Sequence, residues 1–315
     1  MHKSIFLDSL KDTEEVLSGI SSDSIMISPK LCNAESISDL RKTHKNVEIY
    51  ADFPVFCGEE LLKSFPDAIP IEAFGKDLIK EGLTFVCPTH LGVRQYLIKE
   101  LAKLVKLDIN GVWLDCARYP TVWAKLVPII YDTCYCERCL SLFEKYIGEK
   151  IVGDTLEEKF LHIDGSYYIE WLRFKCDQIT SFVEQVKRII SESGKNMKLG
   201  IFVVPWEDNE YSAGIKKILG INIEQIAPLV DTVSPMLYHK MCGKGVEWVK
   251  EKVNYYWNLG KPFFPLIQTE DVSLDEFKKS MEFATLKPSA GVCLFYLDNL
   301  VKQKDKLEIA GDFFR

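Results

Sequence analysis

Short apolar runs alternate with stretches of helical periodicity from one end of the chain to the other. Runs of a few apolar residues bounded by polar or turn residues read as buried strands, and apolar residues recurring at every third or fourth position read as helices. The first pair is a strand over residues 4–7 and a helix over 12–18; the second is a strand over 24–28 and a helix over 34–43. A third strand over 47–51 ends at Asp52-Phe53-Pro54 and opens into a long irregular stretch, 55–91, punctuated by Gly58, Pro66, Pro70, Gly75, Gly82 and Pro88. A helix over 92–106 leads to the fourth strand, 111–115. A cysteine-bearing segment follows, then a helix over 140–147 and a long one over about 166–190. Its Tyr168, Trp171, Leu172, Ile179, Phe182, Val186 and Ile189 hold helical spacing until Gly194 stops it. Strands over 198–204, 232–237, 262–267 and 291–297 complete the series, with helices over 246–257 and 274–286 and a short closing helix.

Eight strand–helix units in 315 residues predict a (β/α)8 TIM barrel, a single domain over 1–315. Its third loop is long and its fourth strand is followed by a cysteine-rich insertion. An open doubly wound sheet is the competing architecture, but no glycine-rich phosphate turn follows the first strand. The polar residues favour the barrel too. Asp52, Asp115, Glu207, His239, Glu270 and Asp298 stand at or just past the C-terminal ends of predicted strands, the face where barrel enzymes carry their chemistry.

Composition narrows the class. A formal charge of −7 and the lack of any basic stripe argue against a nucleic-acid partner. The N-terminal apolar run is too short for a signal peptide, and no stretch approaches the ~18 apolar residues of a membrane helix. Ten cysteines in a chain this long, most of them standing singly, suit a reducing cytoplasm with one metal cluster better than a disulfide scaffold. Homo-oligomerisation is left open.

Two groups carry candidate chemistry. Cys134-x-Cys136-x-x-Cys139 is a metal-ligand spacing, and zinc in a closed structural site needs a fourth ligand. Cys87, at the close of the third loop, is the best placed; Cys116 is nearer in sequence, but strand alternation turns it away from Asp115. The expected zinc-binding subregion is therefore 83–92 with 131–148, and the expected cofactor is one structural zinc per chain. The second group is the rim of strand-end carboxylates. Asp115 is the expected nucleophile or base and Glu207 the expected proton donor, with Glu270 in reserve. Arg118 would keep Asp115 ionised, while Trp206 and Asp208 would raise the proton affinity of Glu207. Asp52, Arg118, Tyr119, Trp206, Tyr238, His239 and Asp298 are the expected substrate contacts; aromatic faces with polar tips suit sugar rings. A barrel alone proves no activity. Two other readings stand beside glycoside hydrolysis: a non-catalytic carbohydrate-binding barrel, and a zinc-thiolate alkyl or methyltransferase with an open fourth position.

The segments DINGVWLDCARYP, CYCERCLSLFEKYIG, FPDAIPIEAFGK, FVCPTHLGVRQYL and DTVSPMLYH resemble the glycoside-hydrolase-like barrel proteins, over most of residues 47–298. The cysteine pattern separately resembles the β-galactosidases of glycoside hydrolase family 42, where a Cys-Pro before the third helix joins a later Cys-x-Cys-x-x-Cys to hold zinc. That resemblance implies Cys87, Cys134, Cys136 and Cys139 as the ligands of a structural zinc beside the active site. The chain departs from those β-galactosidases at the end of strand four, which reads Leu114-Asp115-Cys116 here and Asn-Glu there. An aspartate at that position looks instead like the nucleophile of α-glycosidase barrels.

Overall fold

The computed structural model describes the chain except residues 12, 14–16, 18–19, 77 and 80–81; the helix expected over 12–18 lies for the most part outside the described residues. Eight parallel strands close into a ring: β1 (His2–Leu7), β2 (Ser24–Ile27), β3 (Glu48–Pro54), β4 (Gly111–Asp115), β5 (Lys198–Val203), β6 (Thr232–Leu237), β7 (Leu266–Gln268) and β8 (Gly291–Phe295). Each pairs with its neighbour in sequence, and β8 returns to β1 through His2 opposite Gly291. The architecture is the expected (β/α)8 barrel.

Aromatic packing fills the lower half of the ring. Trp113 on β4 is fully buried and lies across β5 at Gly200, where a Cβ would come within 2.0 Å of the indole. Its Nε1–H donates to Ser234 Oγ on β6 at 3.0 Å, and Tyr50 on β3 packs on its ring with centroids 4.3 Å apart. An indole burying ~200 Å² at ~25 cal/mol per Å² contributes roughly 5 kcal/mol, so a side chain at Gly200 would displace a large part of the barrel floor. With the floor filled this way, residues two positions further along each strand point into the mouth.

The strand ends differ from the sequence reading in instructive ways. β3 runs on to Pro54, so Asp52 lies inside the strand, level with Trp113 of β4. β7 is short because Pro262 and Pro265 bring no N–H to the ladder, leaving Phe263 only an isolated bridge to Val233. β8 stops at Phe295, and Asp298 falls in the first turn of a short helix, Leu297–Val301. The long helix expected over 166–190 is Tyr168–Glu192, and a separate helix that the periodicity did not show precedes it. Leu156–Ser166 starts at a capping box formed by Thr155 and Glu158, and Tyr168–Glu192 follows after a break at Tyr167.

The third loop, 55–90, holds a helix at Glu59–Ser64 and a turn at Pro66–Ala68. The insertion after β4 begins with an antiparallel ribbon, Thr121–Val122 against Ile129–Ile130, and continues into the helix Glu137–Ile147. These two long connections are stitched together: Ala73 N–H donates to Asp132 O at 3.0 Å and Tyr135 N–H to Ile71 O at 2.9 Å. Among the described residues no helix is long and apolar enough to cross a membrane.

Candidate active site and cysteine cluster

A cavity of about 450 Å³ opens at the C-terminal mouth of the barrel, lined from every strand or the residue just beyond it. Asp8, Asp52, Asp115 and Arg118 supply its charge; Phe6, Trp123, Phe202, Met236, Tyr238, Leu266, Phe295 and Tyr296 supply its apolar wall. Trp123 stacks on Tyr238 (5.6 Å, 24°), and Tyr238 stacks on Phe295 (5.1 Å, 22°), making one continuous aromatic face.

Two carboxyls share this space under unequal conditions. Asp52 is 8% exposed, and its Oδ1 has no partner. Burial, reinforced by the charge of Asp115, pushes its pKa well above the usual carboxylate range. Asp115 is also raised by burial, but the Arg118 cation and the Cys116 N–H, which donates to Oδ1 at 2.7 Å, oppose the rise. Arg118 is held by its own contacts. Its Nη1 donates to the carbonyls of Tyr119 and Thr121, and its guanidinium lies over Phe85 at 4.8 Å. Of the two carboxyls, Asp115 ionises first and Asp52 keeps its proton longer. Burial, then Asp115, likewise raises the Tyr238 phenol, so it stays neutral beside them.

Asp8, one residue past β1, was not among the sequence candidates although it obeys the same strand-end rule; it pairs with Lys30 at 2.5 Å. Trp123 carried no sequence signal, because its place depends on the ribbon folding back over the mouth.

The remaining expected contacts lie elsewhere. Glu207 is not part of the cavity lining; Lys252, itself buried, holds it at 3.0 Å and Glu210 at 2.7 Å. Glu270 is exposed and also outside the lining. Trp206 is buried against Tyr211, their rings 4.4 Å apart. Tyr119 is fully buried beneath Lys175 Nζ, 4.5 Å from its ring centroid, on the side of the loop that faces Cys87, Cys134 and Cys139. His239 is fully buried, both ring nitrogens lack partners, and burial lowers its pKa. Asp298 accepts from Ser9 Oγ at 2.7 Å.

The sulfurs of Cys87, Cys134, Cys136 and Cys139 lie within 4.8 Å of one another, a set able to hold a metal ion. Cys87 comes from the close of the third loop, next to the helix Leu91–Leu104; the other three come from the insertion after β4. Cys87 Sγ is 3.4 Å from Cys139 Sγ and 3.9 Å from Cys136 Sγ. Cys116 stands apart, lining the cavity.

No family model matches the chain, and no curated protein matches its sequence. Solved structures match its fold. The glycoside hydrolase domain of PgaB (BpsB) from Bordetella bronchiseptica is 11% identical, with a TM-score of 0.75 over 100% of this chain and 99% of that one. A β-galactosidase from the psychrophilic Marinomonas ef1 is 10% identical, with a TM-score of 0.65 over 94% of this chain but 54% of its own, so the chain spans about half that protein. The glycoside hydrolase domain of PelA from Pseudomonas aeruginosa is 12% identical, with a TM-score of 0.51 over 94% and 95%. At such identities the likeness is one of fold, a barrel shared with glycoside hydrolases.

Proposed function

We propose that the chain hydrolyses a glycosidic bond of a carbohydrate in the mouth cavity, with Asp52 as proton donor and Asp115 as nucleophile or base. One observation carries the reading. Two carboxyls with opposed electrostatic partners converge in a single aromatic-lined cavity, the arrangement glycoside hydrolysis needs. Asp52 takes the donor role in place of Glu207 or Glu270, neither of which lines the cavity. As the bond to the anomeric carbon breaks, the Asp52 proton passes to the departing oxygen. Asp115 either bonds to that carbon or takes a proton from the water that does. The Trp123–Tyr238–Phe295 face stacks against the sugar's C–H surface.

The thiolate centre fits a structural zinc. Four sulfurs at about 2.3 Å from one ion sit about 3.8 Å apart, close to the spacings here. Such an ion would cross-link the third loop to the insertion after β4. Four thiolates leave it no open position, which argues against the alkyl-transfer reading.

The test is a panel of oligosaccharides and aryl glycosides of both anomeric configurations, run with wild type, Asp52→Asn and Asp115→Asn. Turnover by wild type that falls on the order of 10³-fold in each variant supports the reading. Binding without release of reducing ends would make the chain a carbohydrate-binding protein instead.

A further inference from the structure

The thiolate centre contains a fifth residue that is not a ligand. Thr89 follows Cys87 by two positions, is 2% exposed, and directs its Oγ1 between two of the four sulfurs: 3.1 Å from Cys87 Sγ and 3.3 Å from Cys139 Sγ. A third sulfur, Cys134 Sγ, receives the Ile71 N–H at 3.4 Å. Three of the ligands, Cys87, Cys134 and Cys139, are buried to 1% exposure or less; Cys136 is partly open.

We infer that Thr89 is a positioning residue of the metal centre, its hydroxyl proton shared between the Cys87 and Cys139 thiolates so as to slow metal release. The inference rests on the proposal that the four cysteines hold a metal. Four thiolates around a divalent ion leave a net charge of −2 in a nearly closed space, and buried charge is costly without compensation. The Lys175 and Arg94 cations offset part of it from a distance, and hydrogen bonds to anionic sulfur supply relief at the sulfurs themselves, where the Thr89 hydroxyl reaches two of them. Partners of this kind, outside the ligand set, orient the ligands and alter metal affinity by about 10–100-fold. The arrangement also gives the centre a direction. Cys87 and Cys139 are the restrained ligands, and Cys136 is the one through which the ion exchanges.

The experiment uses the full chain loaded with zinc, and separately with cobalt. Release of zinc to a chromogenic chelator is followed for wild type, Thr89→Val and Thr89→Ser. Valine keeps the shape without the hydroxyl, and serine keeps the hydroxyl. Release about 10-fold or more faster in Thr89→Val, with Thr89→Ser within about twofold of wild type, is expected. The sulfur-to-cobalt charge-transfer band should move to lower energy in Thr89→Val alone, since thiolates stripped of hydrogen bonds are better electron donors. In cadmium-113-loaded wild type, which needs no substitution, a slowly exchanging Thr89 hydroxyl proton coupled to the metal is expected. Equal release rates with an unmoved cobalt band overturn the role of Thr89 while leaving the metal site standing, as does an uncoupled, rapidly exchanging hydroxyl. A wild-type chain that takes up no metal overturns both.

Discussion

Replacing Asp52 by asparagine should make the protein more stable at neutral and alkaline pH, although it removes a residue assigned to catalysis. The carboxyl is nearly enclosed, one oxygen has no partner, and a second carboxyl bears on it. Its folded pKa is therefore above the unfolded value of about 3.9. The folded state binds the proton more tightly, so this group's stabilising contribution is complete below about pH 4 and is lost as pH rises through the folded pKa. Leaving a buried polar atom unpaired costs about 1–3 kcal/mol, and more once it is charged. Asparagine has nearly the same shape and never ionises, so the variant escapes the part of that cost which comes from charge. A gain of about 1–3 kcal/mol at pH 8 corresponds to a rise of several degrees in Tm for a chain of this size. Thermal midpoints of wild type and Asp52→Asn, measured from pH 4 to 9 by near-ultraviolet circular dichroism, should nearly coincide at the acid end and separate as pH rises. An offset that does not change with pH, or a wild type that gains on the variant as pH rises, would refute the reasoning.

Three further outcomes follow from the same geometry. Arg118→Met removes the cation that opposes the rise of Asp115, so the acid limb of the kcat/KM profile should move to higher pH while the alkaline limb, set by Asp52, stays in place; an unmoved acid limb would detach Arg118 from Asp115. Elemental analysis should find about one metal per chain in wild type and in Cys116→Ser, with loss in Cys87→Ser and Cys139→Ser; loss in Cys116→Ser instead would redraw the ligand set. Glu207→Gln leaves the buried Lys252 with Glu210 alone, so it should cost about 1–3 kcal/mol in thermal or urea unfolding while kcat/KM stays within about threefold; a fall on the order of 10³-fold would return the donor role to Glu207.

The barrel and the cysteine set were legible in the sequence because both are local signals repeated or closely spaced. Each strand announces itself by its own apolar run, and three of the four cysteines sit within six consecutive positions. The carboxylate rim was legible only as a class. Chain order places Asp52, Asp115 and Glu207 alike at strand ends, and what separates them is long-range packing. Lys252, 45 residues further along the chain, draws Glu207 out of the mouth. The continuation of β3 to Pro54 turns Asp52 inward. Trp123 enters only because the ribbon after β4 folds over the opening, and nothing in its neighbours' hydropathy marks it. Tyr119 was misplaced for a simpler reason. It follows Arg118 directly, yet the turn that lets Arg118 line the cavity sends the next ring toward Lys175 and the thiolates.

The placement of the thiolates bears on why two such long connections can serve a site that tolerates little movement. The segments that hold the sulfurs leave the barrel from β3 and β4, the same two strands that carry Asp52 and Asp115. Within the barrel those carboxyls are fixed by the ladder that pairs Pro54 with Asp115, extended by the Val55 N–H donating to Asp115 O at 3.0 Å. Beyond it, Cys116 and Arg118, the groups that oppose the rise of Asp115, belong to the insertion itself, where loop freedom would blur their positions. Catalytic groups must be held to about 0.5 Å, which free loops of this length do not provide. The backbone stitches at Ala73–Asp132 and Ile71–Tyr135 restrict the two loops partly, and a metal held by Cys87 and the insertion cysteines would close them into one unit. On this argument a metal at the four cysteines would matter to the proposed reaction without touching substrate. It would fix the loop that carries Arg118, and so hold in place the cation that opposes the rise of Asp115.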